Sequence, residues 1–140
     1  MLSFFRKKRL LGFQKDLRKL QNSGYKDIGV NIFKNDQVLV QIMLAKHFKN
    51  KDLKYANNQD LCLVVDFNKN RTETWGDYEN AEIKSKLQEF IYFEDPKGVH
   101  CFVKNVGQNP VEIEDYVNQM IEEVFILQPT DKLRIEFAAG

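Results

Sequence analysis

The sequence is poor in the residues that hold small proteins together covalently or through metal ions. It contains 2 cysteines, 2 histidines and 3 prolines among 140 residues. Cys62 and Cys101 form no Cys-x-x-Cys pair and the histidines show no His-x-x-x-His spacing, so a structural zinc site has no support. Both cysteines lie in apolar runs typical of buried strands, where cysteine serves as a small hydrophobic residue more often than as half of a disulfide. We therefore expect no metal and no cofactor.

Long hydrophobic runs are also missing. Apolar stretches such as Ile42–Ala45 and Val124–Leu127 fall far short of the ~18 residues needed to cross a bilayer. The N-terminus has no apolar segment of the kind that a secretory signal needs. With 43% apolar and 29% charged residues, the composition is that of an ordinary globular protein. We expect a single α+β domain over residues 1–140 in the cytoplasm, with a peripheral position at a membrane as the alternative.

What the sequence does have is an uneven distribution of charge. Its formal net charge is +1, yet residues 1–20 hold seven basic residues against one acid. Residues 72–140 hold six basic residues against fourteen acids. A basic front and an acidic back suggest either contact with a charged partner or packing of the two regions on one another.

The periodicity of apolar residues in the first half predicts one helix followed by several strands. The helix begins near Leu10 and should end near Asn22-Ser23-Gly24, where Gly24 can adopt the left-handed cap. Before Leu10 the pattern degrades, so residues 1–9 are expected to form a loosely held basic arm. A polar surface loop is predicted at His47–Asn58. The apolar side of the helix consists of Leu10, Phe13, Leu17 and Leu20. Alternating residues predict antiparallel strands at Ile28–Ile32, Val38–Leu44, Leu61–Phe67 and Thr72–Trp75.

The second half predicts two more helices and two more strands. Asp77 can cap a helix that must end before Pro96. The clearest helix start is Asn109, followed by Pro110 and, three residues after the cap, Glu112. The buried sides are predicted to be Ile83, Leu87, Phe90 and Ile91 in the first of these helices and Ile113, Val117, Met120, Ile121 and Val124 in the second. With strands at Val99–Val103 and Leu133–Phe137, the fold class is α+β, a mainly antiparallel sheet of five to six strands with three helices packed mostly on one face.

Catalytic and metal-binding patterns are weak. Residues 66–77 space their oxygen ligands almost as a calcium loop does, but Arg71 stands where the loop needs glycine, and a hairpin turn explains the same residues. His100 and Cys101 are adjacent in a strand and should face opposite sides of the sheet. The element order resembles that of metal-dependent nucleases at the level of the fold alone, but the triplet Glu82-Ile-Lys84 falls on a predicted helix. An enzyme of unrecognised type would draw its pocket from Asp66, Glu73, Trp75, Asp77 and His100.

The basic N-terminal region is the candidate binding site. Two aromatic residues precede four consecutive basic residues, and three more basic residues occupy the solvent side of the predicted helix. The residues are Phe4, Phe5, Arg6, Lys7, Lys8, Arg9, Lys15, Arg18 and Lys19. Such a segment can hold anionic head groups, at ~1 kcal/mol per basic residue, while its aromatic side chains enter the lipid interface. It can also bind nucleic-acid phosphates, or its helix can pack on the sheet and leave the basic side in water.

The lack of a catalytic motif, together with the segregation of charge, favours a non-enzymatic intracellular protein that works through protein–protein contacts. An adaptor, a chaperone-like protein and an inhibitory protein all fit. The alternatives are a peripheral membrane protein that uses the basic N-terminal helix, a nucleic-acid-binding module and an enzyme. A protein partner is the first expectation, and an anionic membrane surface and nucleic acid come after it. An exposed sheet edge or an apolar face of the first helix could also support a homodimer.

Overall fold

The computed structural model describes residues 10–23, 28–48 and 50–139, which form three helices and six strands. The basic arm at residues 1–9 and the predicted cap Gly24 lie outside the described residues, but the first helix ends at Ser23, within the predicted end at residues 22–24. The helices are α1 (Gln14–Ser23), α2 (Lys69–Ser85) and α3 (Pro110–Val124). The strands are β1 (Ile28–Lys34), β2 (Gln37–Leu44), β3 (Leu61–Phe67), β4 (Ile91–Glu94), β5 (His100–Gly107) and β6 (Leu133–Ala139).

All six strands belong to one antiparallel sheet with the order β4-β5-β3-β2-β1-β6. β1 and β2 form the predicted hairpin, with Val30 opposite Ile42. The last strand, β6, lies against the first, with Ile135 opposite Ile32. Alternate residues of a strand point to opposite faces, and these apolar pairs share one core with residues of all three helices. The predicted α+β fold, with its helices on one face, is confirmed.

α1 belongs to this core. Phe13, Leu17 and Leu20 are each at most 2% exposed, and burying an apolar side chain of this size contributes roughly 1.5–3 kcal/mol. The prediction was wrong for Leu10, which precedes the helix and is 76% exposed. Gly12 lies between Leu10 and the start of α1, and glycine is a poor helix former. The apolar side of α1 is therefore shorter than the sequence pattern predicts.

The predicted strand at Thr72–Trp75 is wrong, because this segment lies in the first part of α2. Trp75 is buried, and its ring centroid lies 6.1 Å from that of Phe67 and 5.9 Å from that of Phe125. Gly76 follows with φ 77° and ψ 172°, a conformation that divides α2 into two helical parts and that residues with side chains rarely adopt. Tertiary packing of one aromatic side chain thus outweighs the β propensity of the segment.

α2 also ends earlier than the sequence predicts. Ile83 and Leu87 are buried as expected, but the helix ends at Ser85 and a new strand begins at Ile91. Ile91 pairs with Val103 of β5 and does not continue the helix. The alternation of β-branched and aromatic residues from Ile91 onward favours this strand.

α3 has the predicted start and the predicted buried side. The Asn109 side-chain oxygen accepts hydrogen bonds from the backbone N–H groups of Val111, at 3.0 Å, and Glu112, at 3.3 Å. Pro110 occupies the first turn, where its missing N–H costs nothing. The buried residues of α3 are Ile113, Val117, Met120, Ile121 and Val124.

The loop between β2 and β3 covers part of the sheet face away from the helices. Most of the loop is exposed, as predicted, but Leu53 is buried beneath it. Beside it, the Phe48 ring packs edge-on against Phe93, with 5.5 Å between centroids. Leu53 and the strand residues under the loop form a second, smaller core. The rest of this sheet face, toward β1 and β6, carries polar side chains such as Arg134 and Glu136.

Candidate functional site

The exposed side of α3 is acidic. Glu112, Asp115, Glu122 and Glu123 recur at helical spacing and are all exposed, so they form one stripe along the helix. No lysine or arginine occurs in the sequence between Lys104 and Lys132. Within the described part of the chain, no basic side chain forms a salt bridge with any of these four carboxylates. We call these four residues the acidic stripe.

A groove of about 480 Å³ runs beside the acidic stripe, between α3 and the residues that follow α2. Phe90, Met120 and Val124, which are buried, form its apolar floor. Glu89 and Glu123 also line the groove, and so does Lys86, whose Nζ lies 4.0 Å from Glu82 Oε2 outside it. An apolar floor beside carboxylates is a surface that suits an apolar side chain flanked by cations.

One carboxylate of the groove is already neutralised from within the protein. Lys104 Nζ donates a hydrogen bond to Glu89 Oε2 at 2.7 Å and lies 4.9 Å from the ring centroid of Tyr116. The bond from Lys104 holds the pKa of the Glu89 carboxyl below its ordinary value. Burial opposes the charge of Lys104, but its hydrogen bonds to Glu89 and Tyr116 raise the pKa of its ammonium group. Glu123, by contrast, accepts an amide hydrogen bond from Gln119 Nε2 at 3.0 Å.

The side of α3 next to α1 holds the chain that leads into α1. Glu114 Oε2 accepts hydrogen bonds from the backbone N–H groups of Phe13, at 2.7 Å, and Gln14, at 3.1 Å. Asn118 exchanges two hydrogen bonds with the backbone of Leu11, at 2.8 and 3.0 Å. Glu114 therefore caps a helix other than its own, since its oxygen satisfies N–H groups that the first turn of α1 leaves free. These contacts hold residues 11–14 against α3.

The predicted basic site is only partly described. Phe4, Phe5, Arg6, Lys7, Lys8 and Arg9 lie outside the described residues. Lys15 and Arg18 are exposed on the solvent side of α1. Lys19 is also exposed, and its Nζ lies 4.4 Å from the ring centroid of Phe137. Because the apolar side of α1 lies in the core, α1 presents charge without an apolar surface.

The structure separates the groups that a thiol enzyme would need. His100 lies opposite Phe67 and Cys101 opposite Asp66, so the histidine and the thiol point to different sheet faces, as predicted. Burial, and then the carboxylates of Asp66 and Asp95, raise the pKa of the Cys101 thiol to about 11. Burial raises the pKa of the Cys62 thiol to about 12. Both thiols are therefore protonated, and hence weak nucleophiles, near neutral pH.

The other candidate pocket residues whose side chains are described are also dispersed, and the Glu73 side chain lies outside the described part. Asp66 lies on the sheet face opposite to His100, Trp75 is in the core, and Asp77 is exposed beyond the break in α2. The helix at residues 69–75 replaces the hairpin that the sequence predicts, and also the loop that a calcium ion would need. Glu82 and Lys84 lie on α2, as predicted, where they do not form the strand-borne pair of a nuclease.

One surface cluster was missed by sequence reasoning. The Tyr92 hydroxyl lies 2.9 Å from His100 Nδ1, and His100 Nε2 lies 3.5 Å from Glu94 Oε1. Desolvation and the negative charge of Glu94 raise the pKa of the Tyr92 hydroxyl, which makes it a poorer nucleophile at neutral pH. Only the pairing of β4 with β5 brings these three residues together, and β4 was not predicted.

The described residues contain no group of three or more metal-ligating side chains. No helix among them is both long enough and apolar enough to cross a bilayer. Comparison of the chain with protein-family models, with curated proteins and with solved structures gives no match.

Proposed function

We propose that this protein is a non-enzymatic binding protein that docks a basic segment of a protein partner on the acidic stripe and the adjoining groove. The observation that carries the proposal is that the stripe presents four exposed carboxylates, beside an apolar-floored groove, with no basic partner among the described residues. An adaptor or an inhibitor of a basic protein would use such a surface. The candidate catalytic groups His100 and Cys101 point to different sheet faces, which favours a binding role over catalysis.

The chemistry of the groove defines the partner. Lysine or arginine side chains would meet Glu112, Asp115 and Glu122, and an apolar or aromatic side chain would enter the groove above Met120. Exposed ion pairs contribute only about 0.2–1 kcal/mol each, so the charges mainly speed and orient the encounter. The apolar anchor supplies most of the affinity, as buried anchors do at other interfaces.

The first test is a selection of displayed peptides against the folded full-length protein, followed by anisotropy titration of the enriched peptides. We expect the enriched peptides to combine lysine or arginine with an apolar anchor. Asp115→Lys/Glu122→Lys should weaken their binding at least tenfold. Asp52→Lys/Asp77→Lys is the matched control, because it makes the same change of net charge at exposed carboxylates outside the stripe, and it should stay within about twofold.

If both double variants lose the same amount of binding, the change of net charge alone explains the loss, and the proposed site is overturned. Enrichment of peptides without basic residues would overturn the proposed partner class. Folding of each variant is checked by circular dichroism, and the loss of affinity with rising salt shows how far exposed charges contribute to binding.

A second candidate function is attachment to an anionic membrane through the basic arm. The observation in its favour is that Lys15 and Arg18 are exposed on α1, close in sequence to the exposed apolar Leu10. Among the apolar residues described between positions 10 and 23, Leu10 is the exposed one, since Phe13, Leu17 and Leu20 are in the core. This smaller apolar surface makes the membrane the weaker candidate.

Surface substitutions test the membrane function better than truncation, which would remove core residues of α1. If the arm inserts, Phe4→Ser/Phe5→Ser should weaken binding to vesicles containing anionic lipid, because it removes apolar contact and keeps every charge. Lys15→Ser/Arg18→Ser should weaken binding to vesicles and to mixed-sequence DNA alike if charge alone acts. Equal vesicle binding by the Phe4→Ser/Phe5→Ser variant and the native chain would exclude insertion.

A further inference from the structure

β6 forms one edge of the sheet, and its outer side has no strand partner among the described residues. It is the longer of the two edges, with seven residues against four in β4. An unpaired edge presents backbone N–H and C=O groups to any strand that fits. Leu133, Ile135 and Phe137 are partly buried against the main core, and Arg134 and Glu136 point to the other sheet face.

The register shows which backbone groups of β6 are free. Asn35 N donates a hydrogen bond to Lys132 O at 2.7 Å, so the backbone groups of residue 132 point toward the β1 side. The pairing of β1 with β6 then runs from Leu133 to Ala139 without a register shift. In an antiparallel pair, successive residues point their backbone groups alternately toward and away from the partner strand. The N–H and C=O groups of Leu133, Ile135 and Phe137 therefore point outward.

Two copies of β6 are complementary when they lie antiparallel with their Ile135 residues opposite each other. In that register Leu133 lies opposite Phe137 on the core face, and Arg134 lies opposite Glu136 on the other face. Ile135 lies opposite its own copy. Directly opposite residues in an antiparallel pair have Cβ atoms about 4.5–5.5 Å apart, close enough for an ion pair. Within one chain Arg134 Nη1 donates a hydrogen bond to Asn35 O at 2.6 Å, while its Nη2 lies 3.8 Å from Glu136 Oε2.

We infer that β6 pairs with β6 of a second copy of this chain, antiparallel and with a two-fold axis through Ile135. The pairing joins two six-stranded sheets into one continuous sheet. In each copy the outward N–H and C=O groups of Leu133, Ile135 and Phe137 gain hydrogen-bond partners. The two Arg134–Glu136 pairs between the copies set the register. Standard stable interfaces bury roughly 20–30 residues a side, so a seven-residue strand pair gives a weak dimer whose population depends on concentration.

The test uses the charge pairs on the full chain, with sedimentation velocity from about 5 μM to about 500 μM, a range suited to a weak dimer. The native chain should shift from monomer toward dimer over this range. Glu136→Arg places arginine opposite arginine twice and should weaken dimerisation at least tenfold. The Glu136 side chain is about half exposed and makes a 3.8 Å ion pair with Arg134 of its own strand, so the fold is expected to be kept.

The matched rescue is a mixture of two single variants. Arg134→Glu and Glu136→Arg should each be monomeric alone, and a 1:1 mixture should form a heterodimer in which every opposed pair again has opposite charges. Amide hydrogen exchange supplies a second readout, because dimerisation should protect Leu133, Ile135 and Phe137 in a concentration-dependent way.

A native chain that stays monomeric to the highest concentration would overturn the inference. So would a dimer whose exchange at these three amides does not change with concentration, since it would use another surface. If the native chain dimerises and both variants fold, but their mixture does not dimerise, the register that places Arg134 opposite Glu136 is wrong.

Discussion

The contact between Glu114 and the start of α1 leads to the most direct prediction. Glu114→Ala removes three hydrogen bonds, from the backbone N–H groups of Phe13 and Gln14 and from the Gln14 side chain at 3.0 Å. Loss of a helix cap costs about 0.5–2 kcal/mol, and hydrogen bonds to a charged group contribute about 1.5–3 kcal/mol. Because the site is only partly buried, we expect a loss of about 2 kcal/mol in the free energy of unfolding.

Urea denaturation followed by circular dichroism measures this loss, and thermal unfolding should show a fall in Tm of roughly 4–8 °C for a chain of this size. Glu114→Gln keeps an acceptor oxygen without the charge and should cost about half as much. Asp115→Ala is the matched control, because it removes an exposed carboxylate from the adjacent position and should stay within about 0.5 kcal/mol. If Glu114→Ala and Asp115→Ala cost the same, Glu114 acts only on the dipole of its own helix and the capping role is refuted.

The core, the backbone and the thiols give three further predictions. Leu17→Ala should lower the free energy of unfolding by about 2–5 kcal/mol in urea titration, because Leu17 is fully buried in the main core. Gly76→Ala should cost about 1–3 kcal/mol in the same titration through backbone strain alone, since a Cβ there meets no atom within 4 Å. Gly12→Ala is its control and should be neutral or stabilising, because φ is not positive there and the space is open. The pKa of the Cys101 thiol is raised to about 11, so this thiol should react slowly with iodoacetamide at pH 8 and faster as the pH rises toward that value. Rapid labelling of Cys101 in the folded protein at neutral pH would contradict the raised pKa.

Much of the fold could be predicted because local sequence and tertiary structure agree. Asn109 and Pro110 specify the start of α3 within a few residues, and the spacing of its apolar residues specifies the buried side. β3 and the β1–β2 hairpin follow from alternation and turn residues in the same way. The segment at Thr72–Trp75 could not be assigned correctly, because its helix depends on the packing of Trp75 against residues distant in sequence, such as Phe125.

The site was harder to predict for the same physical reason. The sequence indicates the excess of acid in the second half but not which carboxylates remain without a basic partner. Glu114 and Glu89 have the same local appearance as Glu122, yet Glu114 caps α1 and Glu89 binds Lys104. Their roles depend on contacts between elements that are up to a hundred residues apart, and no local pattern contains that information.

The position of Trp75 has a practical consequence. It is the only tryptophan in the chain, and its ring lies between Phe67 of β3 and Phe125 at the end of α3. Its fluorescence therefore reports whether the sheet and two helices are still packed together at one junction. Far-ultraviolet circular dichroism reports backbone structure throughout the chain. If the two signals change together during unfolding, the sheet and its helical layer unfold as one cooperative unit.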